Sequence, residues 1–430
     1  MTNAHEPTSK AEIIRKFRRI RAVTERLAAP LSAEDQGLQS MPSCSPVKWH
    51  RAHTTWFFET FLLAPQGVAP VHAEWGPLFN SYYVAAGPRA ARPKRGMLSR
   101  PSAVEVGEYR RVVDARVVGL LEGANAAELG ALESVVVLGL AHEEQHQELL
   151  LTDILHALSE NPLRPAYREL AASPAPAGRA ASPLAFDTFD GGIREIGAPR
   201  TTPFCFDNEE PRHKVLVEPF ALARRLVTVV EWKAFADAGG YDTPSLWLSD
   251  GFDWARANDV RAPLYCTRER DDGALVAFGL AGTRVLADDE PITHVSFYEA
   301  DALARFLGGR LPTEAEWEIA ASSAQRDSSV GNFLDDDRLR PIAATGDTMG
   351  QLFGDAWEWT GSAYSPYPGF RPRSGAIAEY NGKFMVNQLV LRGGSCLTPR
   401  GHVRASYRNF WHPDTRFQMS GVRLAREVSR

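Results

Sequence analysis

Two domains of different class are predicted for this chain of 430 residues: an all-helical bundle over residues 1–160 and an α+β domain over residues 185–430, joined by a linker at 161–184. Three observations carry that expectation. Apolar residues recur at helical spacing through the first 160 residues. The composition then shifts to Pro and Ala in "ENPLRPAYRELAASPAPAGRAASPLA", as linkers do. Beyond it glycines, tryptophans and short β-like runs dominate, a texture of small sheets joined by irregular loops.

The bundle is read as four amphipathic helices. In the first, Ile13, Phe17, Ile20, Val23 and Leu27 form one apolar stripe. The second, "SPVKWHRAHTTWFFETFLL", offers Ser45 as N-cap and Pro46 at the first helical position. The third, "SAVEVGEYRRVVDARVVGLL", opens with a capping box, Ser102 to Glu105. The fourth runs from about Ala127 to Leu158. Between the second and third lies "LFNSYYVAAGPRAARPKRGMLSRP", too long to be a mere connector, and loops of such length are often functional. In the C-terminal half, "HKVLVEPFALARRLVTVVEW" and "QLVLRGGS" read as β-like. "SFYEADALARFLG" and "PTEAEWEIAASSA" read as helices, the latter with Thr313 and Glu316 near its start.

Several function classes are excluded by composition. The net charge is -5 and no Lys/Arg block is present, so no nucleic-acid partner is expected. No run approaches roughly 18 apolar residues, so no membrane span is expected. The N-terminus lacks a signal-peptide core. Cys44, Cys205, Cys266 and Cys396 lie far apart without a CxxC, which suits a reducing cytoplasm and argues against a zinc knuckle or a disulfide framework.

The chemistry concentrates in "AHEEQHQELLLTDILH", residues 141–156. His142 and His146 stand at i and i+4, on one face of a helix and one turn apart, so their imidazoles can share a metal ion. The plainer alternative is a pair of solvated helix positions. Two features favour the metal. His53, beside Trp56 and Phe57, is expected to face the bundle interior, where a buried histidine needs a partner. Glu143, Glu144, Gln145 and Glu148 supply the carboxylates and amide usual around metal-bound histidines. His50 lies almost one turn before His53 and is the weaker candidate. His156, roughly 15 Å beyond His146 along the helix, is too far for the same ion. Three histidines on two helices leave coordination positions open for water or substrate, and imidazole ligands suit zinc, iron, copper or nickel.

The C-terminal half carries "GRLPTEAEWEIAA", "FGDAWEWTGSAY", "LVLRGGSC" and "RASYRNFW…GVRLAR". These resemble the formylglycine-generating-enzyme (sulfatase-modifying-factor) domain, a C-type-lectin-like fold, while the N-terminal half resembles the DinB-like four-helix bundle. The pairing, with "WHRAHTTWFFETF", "HEEQHQELL" and "EYNGKFM" in order, resembles the ergothioneine-biosynthesis sulfoxide synthases, or hercynine oxygenases. That resemblance implies a mononuclear non-haem iron(II) held by His53, His142 and His146. It implies O2-dependent formation of a C–S bond between a thiol donor, cysteine or γ-glutamylcysteine, and C2 of the hercynine imidazole, giving a sulfoxide. Three neutral histidines would leave the iron its full 2+ charge, which favours a bound thiolate.

The resemblance also assigns substrate contacts. Gln145 would touch the hercynine imidazole. Asn409, Phe410 and Trp411 suit a carboxylate and a trimethylammonium group, the latter by cation–π attraction, although Trp411 stands where relatives often carry a second Phe. Arg89, Arg92 and Arg95 on the long loop could clamp the donor carboxylate bidentately, and Asp414 and Arg416 are further candidates for the donor's amino and carboxylate ends. The tryptophans of "GRLPTEAEWE" and "GDAWEW" are read as core. Tyr82 and Tyr83 in "NSYY" match the tyrosines that supply a proton in the branch favouring free cysteine, and Tyr83 is preferred because adjacent side chains on an extended loop face opposite ways. Tyr380 matches the tyrosine of the other branch. Cys266 and Cys396 do not reproduce the paired cysteines of formylglycine generation. The alternatives are selenoneine formation from hercynine and a selenosugar, or a non-catalytic ligand-binding protein with a structural metal. A structural calcium in the lectin-like domain is also expected to be possible on its carbonyls and carboxylates.

Overall fold

The computed structural model describes residues 9–169, 183–269, 273–323, 327–373 and 381–428. The chain forms two compact units, the first within the residues up to Tyr167 and the second within Arg168–Arg373 and Asn381–Arg430.

The first unit is helical: α1 (Lys10–Ala28), α2 (Val47–Phe58), the one-turn α3 (Gly76–Phe79), α4 (Ala103–Gly123) and α5 (Ala126–Ser159). Ser102 and Glu105 form the expected capping box, and Asn125 and Glu128 form another at the start of α5. α2 starts one residue later than expected. Pro46 is extended and acts as the cap, while the Ser45 hydroxyl accepts from Arg95 at 2.9 Å. At its far end α2 continues as a π-helical turn, Glu59–Leu63, whose buried Glu59 accepts from the Tyr109 hydroxyl and the Val71 N–H, both at 2.7 Å. Ile13, Phe17, Ile20, Phe58, Val113, Val117, Val136 and Leu140 share the core of this unit. In the segment read as linker, Tyr167 is buried and donates its hydroxyl to the Leu27 carbonyl at 2.6 Å.

The apolar stripe of α1 is only part of its buried face. Val23 is half-buried, whereas Arg21 and Thr24 are buried against Glu143 of α5. A closer approach sets the geometry further along α5. A Cβ at Gly139 would lie 2.6 Å from a Phe58 ring carbon and 3.0 Å from one of Phe57. Glycine costs about 1 kcal/mol relative to Ala in a helix. Here it lets α5 lie directly on α2, one turn before His142.

The second unit holds β1 (Phe186–Phe189), β2 (Gly192–Ile196), β3 (His213–Val217), β4 (Phe220–Ala223), α6 (Val229–Asp237), α7 (Ser249–Ala257), β5 (Cys266–Arg268), β6 (Leu275–Gly279), β7 (Gly282–Val285), α8 (Phe297–Phe306), α9 (Glu314–Ser323), β8 (Trp357–Ala363), β9 (Leu389–Arg392), β10 (Asn409–Trp411), β11 (Ser420–Gly421) and β12 (Ala425–Glu427). The sheets are small, with orders β1-β4-β12, β10-β9-β8-β11, β5-β6-β7 and the β2-β3 hairpin. The run read as continuously β-like breaks at its end. "VVEW" is the start of α6, because the Thr228 N–H and hydroxyl donate to Glu231 at 2.8 and 3.0 Å and turn the chain into a helix. The tryptophans of the two long motifs are core, with Trp317, Trp357 and Trp359 buried. A buried carboxylate knits them in: Trp317 donates to Glu358 at 2.7 Å, and Arg423 pairs with the same carboxylate at 2.7 Å. All four cysteines are free.

Candidate metal centre

His53 on α2 and His142 and His146 on α5 converge. One ring nitrogen from each lies within 4.8 Å of the others, and the ring centroids are 4.6–4.9 Å apart. Among the described residues this is the group of histidine, cysteine and carboxylate side chains able to hold a metal. The i, i+4 spacing places the α5 pair on one face, and the Gly139 contact brings that face to α2.

His53 and His146 are each held by a hydrogen bond before any ion arrives. His53 is fully buried, lying parallel to Trp49 at 4.6 Å and to Trp56 at 5.6 Å. Its Nδ1–H donates to the Phe79 carbonyl at 2.6 Å, which assigns the lone pair to Nε2. That Nε2 is buried without a hydrogen-bond partner, a loss of roughly 1–3 kcal/mol that a metal would offset. Burial holds His53 and His146 neutral, well below the usual imidazole range, and takes His142 down to about 3. Neutral imidazoles are the ligating form. The set therefore fits a divalent ion of the later transition metals, with positions left for small molecules.

His50 is not a fourth member. Its Nδ1 meets His146 Nδ1 at 2.8 Å and its Nε2 meets Asp153 at 3.0 Å. The carboxylate and amide cluster also divides differently from expectation. Glu143 turns toward Arg21 and Arg110 rather than toward the histidines. Burial alone would raise its carboxyl pKa, but Arg110 and Arg21 override this and hold it at about 2. His156 is bonded to the Ser40 hydroxyl at 2.7 Å, outside the cluster. Gln145 is half-buried beside His146 on α5.

The loop residues have local partners. Tyr83 is fully buried, and its ring packs against Trp56, Phe57 and Phe61. The expectation that Tyr82 and Tyr83 face opposite ways is corrected: their rings stack at 4.5 Å and 28°. The chain bends at Tyr82, and the Asn80 side chain brackets the Tyr83 backbone, bonding its N–H at 3.1 Å and its carbonyl at 2.9 Å. Arg95 is buried with its guanidinium 3.4 Å over Trp49, donating to Ser45 and Ser81. Arg92 donates to the Ser43 carbonyl, and Arg89 is exposed.

In the second unit, Asn409, Phe410 and Trp411 form β10, paired antiparallel with β9. Phe410 lies flat on Tyr364 at 4.0 Å, and Trp411 packs edge-on to Phe417 with its indole N–H buried and without a hydrogen-bond partner. Arg416, a candidate for the donor carboxylate, has partners within the protein. It pairs with Glu299 at 2.9 Å and donates to the Ala262 carbonyl, while Asp414 is exposed. Tyr380 lies outside the described residues.

Residues 16–150 match the DinB superfamily, and residues 185–349 and 348–428 match the sulfatase-modifying factor enzyme 1-like domain. A hercynine oxygenase of Mycolicibacterium smegmatis is 32% identical over 417 residues, which is 91% of this chain and 93% of that protein. The chain belongs to the hercynine oxygenase family. Another member, from Mycolicibacterium thermoresistibile, is 31% identical over 98% of this chain and 96% of its own length. Ergothioneine biosynthesis protein 1 of Schizosaccharomyces pombe is 26% identical over 52% of this chain and 28% of its own length. Both domains of the family are therefore present in order, and the protein is an oxygenase. Sequence reasoning passed over Asp153 as part of the site, yet a signal was there: it stands seven residues, two helical turns, after His146 on the same face.

Proposed function

We propose that the protein is an iron(II)- and O2-dependent sulfoxide synthase of ergothioneine biosynthesis, joining C2 of the hercynine imidazole to a thiol sulfur, with cysteine favoured over γ-glutamylcysteine. The observation that carries this reading is the convergence of three neutral imidazoles in a chain alignable with hercynine oxygenases over nine-tenths of its length. His53, His142 and His146 would hold the ion. Ferrous iron so bound would supply dioxygen chemistry and the acidification of a thiol beside it.

The chain's own groups do the rest. Asn409 takes the hercynine carboxylate, Phe410 and Trp411 take its trimethylammonium group, and Gln145 orients its imidazole. Arg89, Arg92 and Arg95 set the positive field for the donor carboxylate, with Arg95 fixed on Trp49 and Arg89 exposed. The Tyr82 and Tyr83 hydroxyls lie 3.4 Å apart, and Tyr83 is the one that gives the proton. Withholding that proton would favour simple oxidation of the thiol to a sulfinic acid. Tyr83→Phe should therefore raise cysteine sulfinic acid at the expense of sulfoxide, with substrate binding little changed. An unchanged ratio, with a collapse in Tyr380→Phe, moves the role to Tyr380.

The deciding experiment is mass spectrometry of an aerobic reaction of iron-loaded protein with hercynine, with cysteine, γ-glutamylcysteine and a selenosugar in competition. A cysteine-derived sulfoxide is expected. A selenium adduct would assign the protein to selenoneine formation, and unchanged hercynine would leave a ligand-binding protein.

A further inference from the structure

His146 is joined to a buried carboxylate through a second imidazole. His50 and Asp153 are 2% and 4% exposed. Asp153 Oδ2 accepts the Ser45 backbone N–H at 2.7 Å and lies 3.0 Å from His50 Nε2. A carboxylate only accepts, so His50 carries its proton on Nε2 and offers the lone pair of Nδ1. That lone pair faces His146 Nδ1 at 2.8 Å. His146 must then donate from Nδ1, which leaves the lone pair of its Nε2 for a metal.

We propose that His50 and Asp153 are positioning residues that lock His146 in its metal-binding tautomer and carry the Asp153 negative charge toward an otherwise neutral three-histidine site. Metal-bound histidines usually donate directly to a carboxylate or carbonyl. Here an imidazole is inserted between the two, and the carboxylate sits one ring further from the ion. His53 is held differently, by the neutral Phe79 carbonyl. An inserted imidazole raises the basicity of His146 without placing an anion where dioxygen and substrate must enter.

The inference rests on the metal-centre reading, and the test separates the two. Apoprotein is titrated with Co(II) and followed by its visible absorption. The unmodified protein should bind one equivalent and His146→Ala none. His50→Leu should weaken binding 10–100-fold, and Asp153→Asn about 10-fold with shifted absorption bands. His50→Gln, whose carbonyl can accept from His146 Nδ1–H, should recover most of the affinity. Wild-type affinity and bands in both His50→Leu and Asp153→Asn would overturn the proposal. Should those variants not fold, 15N-histidine NMR of the zinc-loaded unmodified protein decides: protons on His146 Nδ1 and His50 Nε2 are expected, and coordination of His146 through Nδ1 overturns it. Failure of the unmodified protein to bind Co(II) or zinc would remove the metal centre and this inference together.

Discussion

Helix α5 carries two buried polar regions on adjoining faces, and they are built on opposite principles. On one face Glu143 and Gln147 meet α1 and α4. Glu143 accepts from Arg21 and Thr24, both at 2.6 Å, and from Arg110, while Gln147 donates to the Ile20 carbonyl at 2.9 Å. On the other face His142 and His146 meet His53 of α2, whose buried Nε2 no protein group answers. The first region closes its charges within the protein and holds helices together. The second fixes His53 and His146 and leaves a donor atom for something else. Burial alone does not mark a functional site; what marks it is an unanswered donor in a rigid setting.

The comparison breaks most readily at the histidines. His53→Ala, His142→Ala and His146→Ala should each abolish iron binding and turnover while the helical circular dichroism stays native. Metal analysis after anaerobic loading checks this. Full iron occupancy and turnover in His53→Ala would remove that ligand from the site.

Glu143→Gln tests the other face. It leaves two buried guanidinium groups undercompensated, and about 3–5 kcal/mol of stability should be lost, read by urea unfolding. A loss below 1 kcal/mol would mean that the network is not what joins α1, α4 and α5.

A third contrast concerns buried carboxyls with and without an arginine bonded directly to them. Asp355 in the second unit accepts from the Ile342 N–H at 2.9 Å and the Asn332 amide at 2.8 Å. Its burial pushes it up to about 6, the opposite direction from Glu143. The folded state thus binds the Asp355 proton more tightly than the unfolded chain does. Its stabilising contribution is full below the unfolded value near 4 and is lost as pH rises through 6. Asp355→Asn should gain on the order of 2–3 kcal/mol relative to the unmodified protein between pH 4 and pH 7. A difference that stays flat with pH would show that the carboxyl is not raised.

The smallest effect is expected at Gly139. Gly139→Ala gains helix propensity but drives a methyl group into Phe58, so a net loss of about 1–2 kcal/mol is expected in thermal unfolding. A gain in stability would show that the close approach of α5 to α2 is not needed.

Much of this was open to reading in the chain. The i, i+4 histidines, the capping box at Ser102, the three-proline loop and the tryptophan motifs all announced themselves through local spacing. Local spacing is also why α4 and α5 fell within one or two residues of expectation, whereas the π-helical end of α2 and the one-turn α3 were not foreseen. Contacts between elements were harder to read. The pairing of Arg21 and Arg110 with Glu143 could not be read, because nothing nearby in sequence shows that Glu143 lies across the bundle. The stacking of Tyr82 on Tyr83 depends on the Asn80 side chain folding back, and the helical start of α6 on one carboxylate reaching Thr228.

By itself the sequence determined the two-domain order, the helical half, and the three imidazoles, since each follows from residue type and periodicity within one element. Only the tertiary structure decided which ring nitrogen of His53 and of His146 is committed elsewhere, that His50 serves His146 instead of joining it, and that Arg416 pairs with Glu299. Those are pairings between side chains far apart in the chain, and their geometry exists only once α2 and α5, or α8 and the β10–β11 segment, have packed.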